Sequence, residues 1–315
     1  MKRKMLNVPK GGYDGMKGFT IVEFLVAGLL SIIVLIAVVS SYFTSRKLND
    51  AANERLAIQQ DLRNAATLIV RDARMAGSFG CFNMSEHTEK DVVFDVAQKN
   101  RPFSLNPSLK GSSANKLIPI AESLNIGYQG FAQVRPALIF QYGIDDVNAS
   151  AETTVVSSCG VISKPGKQIP TLEDAKKELK IQNSGKEQNG NIARQRHVVN
   201  AYAVGRIAGE EGLFRFQLDD KGKWGNPQLL VKKVKRMDVR YIYVSGCPED
   251  AGKEEQFKYT DKFDKSRDAV TLAGVEVLLD SGLDAKIAAS SDNSIYAYRI
   301  NATIRGGNVC ANRTL

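Results

Sequence analysis

The segment GFTIVEFLVAGLL, residues 18–30, decides the fold of the N-terminal part of this 315-residue chain. It opens an apolar run of 25 residues, 19–43, in which Glu23 is the only side chain charged at neutral pH. A helix of that length spans roughly 37 Å at about 1.5 Å per residue, enough to cross a hydrocarbon core of about 30 Å. The run therefore predicts a transmembrane helix. A carboxylate inside such a helix is costly, so Glu23 is expected to have a partner or a function.

The charges before this run predict its orientation in a membrane. Five basic residues and one acidic residue give residues 1–18 a charge of 5 − 1 = +4, namely Lys2, Arg3, Lys4, Lys10 and Lys17 against Asp14. Basic flanks stay in the cytoplasm, so the chain after Phe43 should face outward. The rest of the chain carries 9 − 4 = +5. A balance this modest does not by itself argue for nucleic acid.

A helical pattern continues beyond the apolar run. Apolar residues recur with a period near 3.6 at Leu48, Ala52, Leu56, Leu62, Ala66, Ile69, Ala73 and Ala76. Polar faces are predicted at Arg55, Asp61, Arg63, Arg71, Asp72 and Arg74. Gly77 can adopt positive φ and is predicted to end the helix. We expect the stripe to pack on the protein's own sheet, with a coiled-coil homodimer as the alternative.

The apolar pattern in the rest of the chain is typical of a protein rich in β-strands. Strands are predicted at 137–142 and 153–156, and a short helix over 172–179 with Thr171 as its cap. From Val198 to Ile304 the apolar residues alternate with period two, which predicts an antiparallel sheet with one solvated face. Arg299, Asn301, Thr303 and Arg305 should occupy that solvated face. The fold class is therefore α+β, a long N-terminal helix, first transmembrane and then amphipathic, packed on one or more antiparallel β-sheets.

The start of the apolar run resembles a family. Gly18, Phe19, Thr20 and Glu23 before a spanning segment resemble the class III signal of type IV pilins and type II secretion pseudopilins. The resemblance implies that a prepilin peptidase cleaves after Gly18 and N-methylates the new terminal Phe19. Glu23 would then pair with the α-amine of Phe19, on its own subunit or a neighbour, and set axial register during assembly. The alternative for Glu23 is a tolerated acid near the membrane interface.

Later features are similar to minor pilins of the PilW/PilJ type, which are related to J-type pseudopilins. These are the RDARMAG helix exit at 71–77, the large C-terminal sheet, and Ser40 where major pilins usually have proline. The resemblance implies a type IV pilin fold in four parts. They are a cleaved cytoplasmic class III leader at 1–18, a transmembrane half-helix at 19–43, a periplasmic amphipathic half-helix at 44–76 and a β-rich globular pilin domain at 77–315.

The same resemblance implies a non-catalytic role in type IV pilus biogenesis, within a minor-pilin priming or tip complex. Expected partners are other minor pilins, the major pilin, the prepilin peptidase and the inner-membrane assembly platform. The expected location is the bacterial inner membrane, as a single-pass protein with a periplasmic globular part, and the assembled pilus, or fimbrium, at the cell surface. Two alternatives stay open: a J-type pseudopilin of type II secretion, and a pilus-displayed adhesin or DNA-uptake module.

Four cysteines lie on the side predicted to be exported, at 81, 159, 247 and 310. An even number in an oxidising compartment predicts two disulfides, for which three connectivities exist. We favour Cys81–Cys159, which would join the helix exit to the early globular segment. Its counterpart is Cys247–Cys310, which would tie the end of a strand to the C-terminal tail.

Motifs for catalysis, metal binding or cofactor binding are lacking in the sequence, so neither an enzyme nor a cofactor is expected. His87 is predicted to lie in a solvated loop, and no CxxC spacing or zinc-type ligand pattern includes it or His197. The carboxylate pairs at 145–146 and 219–220 are typical of turns. The basic run 232–236 is the best candidate for DNA contact. On an alternating strand its charge would be split between two faces, which favours an ordinary solvated strand.

Overall fold

A computed structural model describes residues 18, 20–93, 117, 119–163, 165–180, 191–245, 256–261, 263, 271–280 and 297–304. The described residues fall into two units that divide between Ala57 and Ile58. Helix α1, Ile21–Met75, contributes to both units. The remaining described elements belong to the second unit, and they make the fold α+β.

Helix α1 ends at Met75, and Gly77 allows the backbone to turn out of the helix. Gly77 has φ +79°, as the sequence predicts, and its N–H donates to the Gln141 carbonyl over 2.8 Å. A Cβ at this position would lie 2.8 Å from Pro119 Cβ and 3.3 Å from Met84 Cβ. Both the turn and the close approach therefore require glycine.

Three sheets are assembled from fifteen strands in the described part of the chain. The first ten strands are β1 (Ser78–Phe79), β2 (Phe82–Asn83), β3 (Val92–Val93), β4 (Ile120–Ser123), β5 (Phe131–Gln133), β6 (Ala137–Ile144), β7 (Thr154–Ser157), β8 (Ile162–Ser163), β9 (Ala193–Ile207) and β10 (Glu210–Leu218). Five follow: β11 (Trp224–Lys232), β12 (Arg236–Ser245), β13 (Gln256–Thr260), β14 (Thr271–Asp280) and β15 (Ala297–Thr303). The predicted strands at 137–142 and 153–156 correspond to β6 and β7.

Strand pairing is antiparallel throughout the described sheets except between β3 and β8. Strands β1 and β2 form a small hairpin. A nine-stranded sheet has the order β11-β10-β9-β7-β8-β3, with β6 and β5 also paired to β9 and β4 paired to β6. A four-stranded sheet has the order β13-β12-β14-β15.

The strands after Val198 belong to two sheets, a division that the period-two pattern does not locate. The break falls at 233–235, between β11 and β12. Lys233 takes φ +61°, and the Val234 side chain is fully buried and anchors the connection in the core. The basic run 232–236 is consequently not one alternating strand, and its predicted division into two charged faces is wrong.

The main core is formed by the last turns of α1 and both large sheets. The helix buries one face from Ile58 onward, consisting of Ile58, Leu62, Ala65, Ile69, Asp72 and Ala73. Packing of this segment on the protein's own sheets is thus confirmed. The predicted stripe begins too early, however, because Leu48, Ala52 and Leu56 are exposed. Their apolar side chains have no cover within the described chain.

The nine-stranded sheet carries a second core on its other face. Phe214 and Phe216 alternate with Leu213 and Arg215 along β10 and therefore point away from α1. They pack with Ile126 and with the half-buried ring of Phe131, whose centroid lies 4.9 Å from that of Phe216. Both faces of this sheet are thus occupied around its central strands.

The four-stranded sheet has the predicted alternation in its last strand. Ile300, Ala302 and Ile304 are buried, whereas Arg299, Asn301 and Thr303 are exposed; Arg305 lies outside the described residues. On the outer face Glu276 contacts Arg240 over 3.3 Å and Arg299 over 3.1 Å. These cross-strand ion pairs link β12, β14 and β15.

The short helix α2, Leu172–Glu178, is also confirmed. Thr171 has extended backbone angles, and its side-chain oxygen accepts from the Asp174 N–H. Ala175 and Leu179 pack with Val156 and Ile169 in a small cluster beside the nine-stranded sheet.

Candidate functional site

The predicted processing segment lies at the start of α1. Gly18 is exposed, and no atom lies within 4 Å of the place that a Cβ would occupy. Phe19, the predicted terminal and methylated residue, lies outside the described residues. Glu23, the predicted assembly residue, is on the first turn of the helix.

Thr20 and Glu23 form a reciprocal cap of α1. The Thr20 N–H and the Thr20 hydroxyl both donate to Glu23 Oε2 over 2.9 Å, and the Glu23 N–H donates to Thr20 Oγ1 over 3.3 Å. This arrangement is a capping box, in which a threonine and a glutamate three residues later satisfy each other's backbone donors. Glu23 therefore already has a partner in the uncleaved chain, a role that was not predicted although the T-x-x-E spacing is its signal.

The apolar run is exposed in this chain. Large apolar side chains between Ile21 and Phe43 have 42–80% of their surface accessible. Helix α1 is long and apolar enough to cross a membrane, by length and composition. The length of this exposed apolar surface matches the thickness of a bilayer's hydrocarbon core.

The second unit contains a buried carboxylate on α1. Asp72 is fully buried, and its two oxygens accept hydrogen bonds from strands β6 and β9. Tyr142 donates to Oδ1 over 2.9 Å, while Tyr202 and Asn200 donate to Oδ2 over 2.7 and 2.8 Å. Arg71 also contacts Oδ1, at 3.1 Å. The assignment of Asp72 to a polar face of the helix was therefore wrong.

The electrostatics of this cluster follow from burial around one negative charge. Burial, followed by the charge of Asp72, raises the pKa of Tyr142 to about 12. The same two causes raise the pKa of Tyr202 further. Both phenols therefore stay protonated at neutral pH and donate to the carboxylate. The cluster has the properties of a fixed joint between α1, β6 and β9.

The disulfide Cys81–Cys159 is present, with an S–S distance of 2.00 Å and a Cα–Cα distance of 4.6 Å. It joins the β1–β2 hairpin to the turn after β7, in agreement with the predicted pairing. Beside it, the Ser157 hydroxyl donates to the Phe79 carbonyl over 2.7 Å. The predicted pair Cys247–Cys310 lies outside the described residues.

The two histidines occupy different environments. His197 is 1% exposed on β9, its Nε2 lies 3.0 Å from Gln141 Oε1, and burial lowers its pKa to about 3. His87 is half-buried and stacks on Phe82 with ring centroids 4.2 Å apart, so its prediction as a fully solvated loop residue is incorrect. Among the described residues no group of three or more His, Cys, Asp or Glu side chains is placed to hold a metal ion.

The predicted turn carboxylates hold local structure. Asp219 Oδ1 accepts from the N–H groups of Lys221 and Lys223 over 2.9 and 2.8 Å, while Asp145 accepts from Gln195 over 2.9 Å. In the basic run, Lys232, Lys233, Lys235 and Arg236 are all exposed around the buried Val234. The Lys233 N–H donates to the Glu211 carbonyl over 2.8 Å and the Lys235 N–H to the Asp280 carbonyl over 3.0 Å. The backbone of this run thus makes hydrogen bonds to a strand of each large sheet, β10 and β14.

Comparison with known proteins assigns this chain to no family. No family model, no curated protein and no solved structure matches this chain. Assignment of a function must therefore rest on the residues and contacts described above.

Proposed function

We propose that this chain is a minor pilin that takes part in type IV pilus biogenesis as a non-catalytic member of a priming or tip complex. The observation that carries the proposal is the exposed apolar half of α1, which begins directly after the Gly18-Phe19-Thr20 segment and contains Glu23. The accessible peptide at Gly18 suits cleavage by a prepilin peptidase. A type IV pilin fold is compatible with one long helix followed by mostly antiparallel sheet.

The capping box refines the role of Glu23 in this proposal. Cleavage after Gly18 would place a cationic α-amine, with a pKa near 8 in unperturbed chains, on Phe19. Phe19 directly precedes Thr20, whose N–H and hydroxyl already hold Glu23. The carboxylate would thus be preorganised at the new terminus before it meets the amine of its own or a neighbouring subunit.

The identity of the mature N-terminal residue tests whether the chain is processed as a prepilin. The full chain is expressed with a prepilin peptidase, and the terminus is determined by mass spectrometry. The proposal expects N-methylated Phe19. Gly18→Glu should block cleavage, whereas Gly15→Glu, the same change three residues upstream, should be processed normally. A terminus near Tyr42 would identify an ordinary signal sequence and overturn the proposal.

The phenotype of a deletion tests the finer assignment. Loss of all pili, restored by the intact gene, is expected for a subunit that primes assembly. Normal pili with lost adherence or DNA uptake would assign the chain to display instead. Normal pili with lost protein export would assign it to type II secretion.

A further inference from the structure

A cavity of about 730 Å³ adjoins the buried Asp72 cluster in the second unit. It lies between the end of α1, strands β6, β9 and β10, and the β10–β11 turn. Its basic lining comes from separate elements: Arg71 on α1, Arg196 on β9, Arg215 on β10 and Lys221 in the turn. A volume of this size is typical of sites for small ligands, which span about 300–1,000 Å³.

Arg215 is the most deeply buried charge in this lining, with 7% of its surface exposed. Its Nη1 lies 3.4 Å from Gln228 Oε1 and its Nη2 lies 3.5 Å from Asp72 Oδ2. Its Nε is buried and has no hydrogen-bond partner in the described part of the chain. Asp72 Oδ2 already accepts shorter bonds from Tyr202 and Asn200, which leaves Arg215 only the longer contact with this oxygen. The guanidinium therefore retains unused donor capacity at a buried position.

The charges of the cavity differ between its floor and its rim. At the floor, Arg71 and Arg215 share the single carboxylate Asp72, so the balance is 2 − 1 = +1. At the rim, Arg196 contacts Asp146 over 3.6 Å and Asp220 over 3.5 Å. The rim residues that line the cavity also include Lys221 and Asp219, so the rim balance is 2 − 2 = 0. Arg215 is the buried cation of the two and shares its carboxylate with the more exposed Arg71, so one added negative charge would complete its neutralisation.

We propose that this cavity binds a single carboxylate group against the floor arginines Arg71 and Arg215. Guanidinium groups bind carboxylates through paired N–H donors. The floor balance of +1 matches a single negative charge, so a carboxylate is preferred to a phosphate dianion. The carboxylate could come from a free monocarboxylic acid or from an acidic side chain of a neighbouring protein. The site does not depend on the proposed role in pili.

The test is isothermal titration calorimetry, which measures ligand binding to the full chain in detergent micelles at constant ionic strength. The probes are propionate, inorganic phosphate, and the blocked tripeptides Gly-Glu-Gly and Gly-Gln-Gly. Saturable binding of propionate or the Glu tripeptide, with neither phosphate nor the Gln tripeptide bound comparably, supports the proposal. Tighter binding of the tripeptide than of propionate identifies a protein side chain as the source, and the reverse identifies a free acid.

Variants locate the site. Arg215→Gln removes a buried partner of Asp72 and risks unfolding, so Arg71→Gln, whose side chain is 55% exposed, is the main variant. It lowers the floor balance to zero and should weaken binding by about tenfold or more, the effect of losing a charge-assisted hydrogen bond. Asp220→Asn should strengthen binding, and Arg206→Gln, an arginine paired with Glu211 outside the cavity, should leave it unchanged. Absence of binding, tighter binding of phosphate, or equal binding by wild type and Arg71→Gln overturns the proposal.

Discussion

The Tyr202 hydroxyl donates to the Asp72 carboxylate over 2.7 Å and thereby joins two residues that are 130 positions apart in the chain. One is on α1 and the other on the long central strand β9. Because Asp72 is fully buried, this bond and its neighbours fix one rotational and axial setting of the helix on the sheet. A shift of α1 by one residue would turn the carboxylate by about 100° and break every contact.

Tyr202→Phe should lower the free energy of unfolding by about 1.5–3 kcal/mol, because it removes a hydrogen bond to a buried charge. Tyr128→Phe is the matched control, since the Tyr128 ring packs on Phe216 and its hydroxyl makes no hydrogen bond within the described residues. The measurement is chemical denaturation of the full chain and both variants in the same detergent. Equal stabilities of the two variants would show that the Tyr202–Asp72 bond contributes nothing specific.

His197 should make the protein less stable in mild acid. Its pKa is near 6.5 in an unfolded chain and about 3 in the folded one, so between these values only the unfolded state binds the proton. Its contribution to stability is complete above pH 6.5 and is lost as the pH falls, by about 1.4 kcal/mol per pH unit. Denaturation at a series of pH values should show this slope in the wild type and a flatter one in His197→Gln. Parallel pH profiles for the two proteins would refute the assignment.

Gly77→Ala should destabilise the fold by about 2 kcal/mol or more, because alanine disfavours positive φ and its Cβ would meet Pro119. Gly160→Ala is the control, since a Cβ there would have no atom within 4 Å and its φ is not in the left-handed region. Thermal unfolding should place Gly160→Ala close to wild type and Gly77→Ala well below it. A tolerated Gly77→Ala would mean that the helix end can relax.

Glu23 variants should separate helix capping from charge. Glutamine at this position can still accept from the Thr20 N–H, so Glu23→Gln keeps much of the cap, whereas Glu23→Ala loses it. If the negative charge is needed for assembly, both variants should be processed normally but fail to support piliation to a similar degree. Recovery of piliation by Glu23→Gln alone would instead assign the residue to capping. Full piliation with both variants would exclude a register role.

Local signals predicted much of the fold. The end of α1 at Gly77, the cap of α2 at Thr171 and the burial alternation in β15 were all predicted correctly. Each of these features depends on residues that are close together in the sequence. The split of the C-terminal strands into two sheets was not predicted, because period two is the same in either sheet. The missed signal is Val234, an apolar residue flanked by lysines. Its side chain is buried in the connection that separates β11 from β12.

Less of the candidate site could be predicted from the sequence. Asp72 lies three residues after Ile69 and four before Ala76, a spacing that places it on the buried face of the helix. Its charge led instead to a polar-face assignment, since carboxylates are almost never fully buried without partners. Those partners come from strands far along the chain, and a helical pattern contains no information about them. The arginine cavity was missed for the same reason, because its four basic residues are contributed by four separate segments.

The disulfide Cys81–Cys159 has a consequence for the survival of a damaged molecule. Its two cysteines are 78 residues apart, and strands β2 to β7 lie between them. If a protease cuts the chain once anywhere in that interval, the piece carrying β8 to β15 stays covalently attached to the piece carrying α1. A nicked chain would therefore keep its apolar N-terminal helix and migrate as one species in electrophoresis until the bond is reduced.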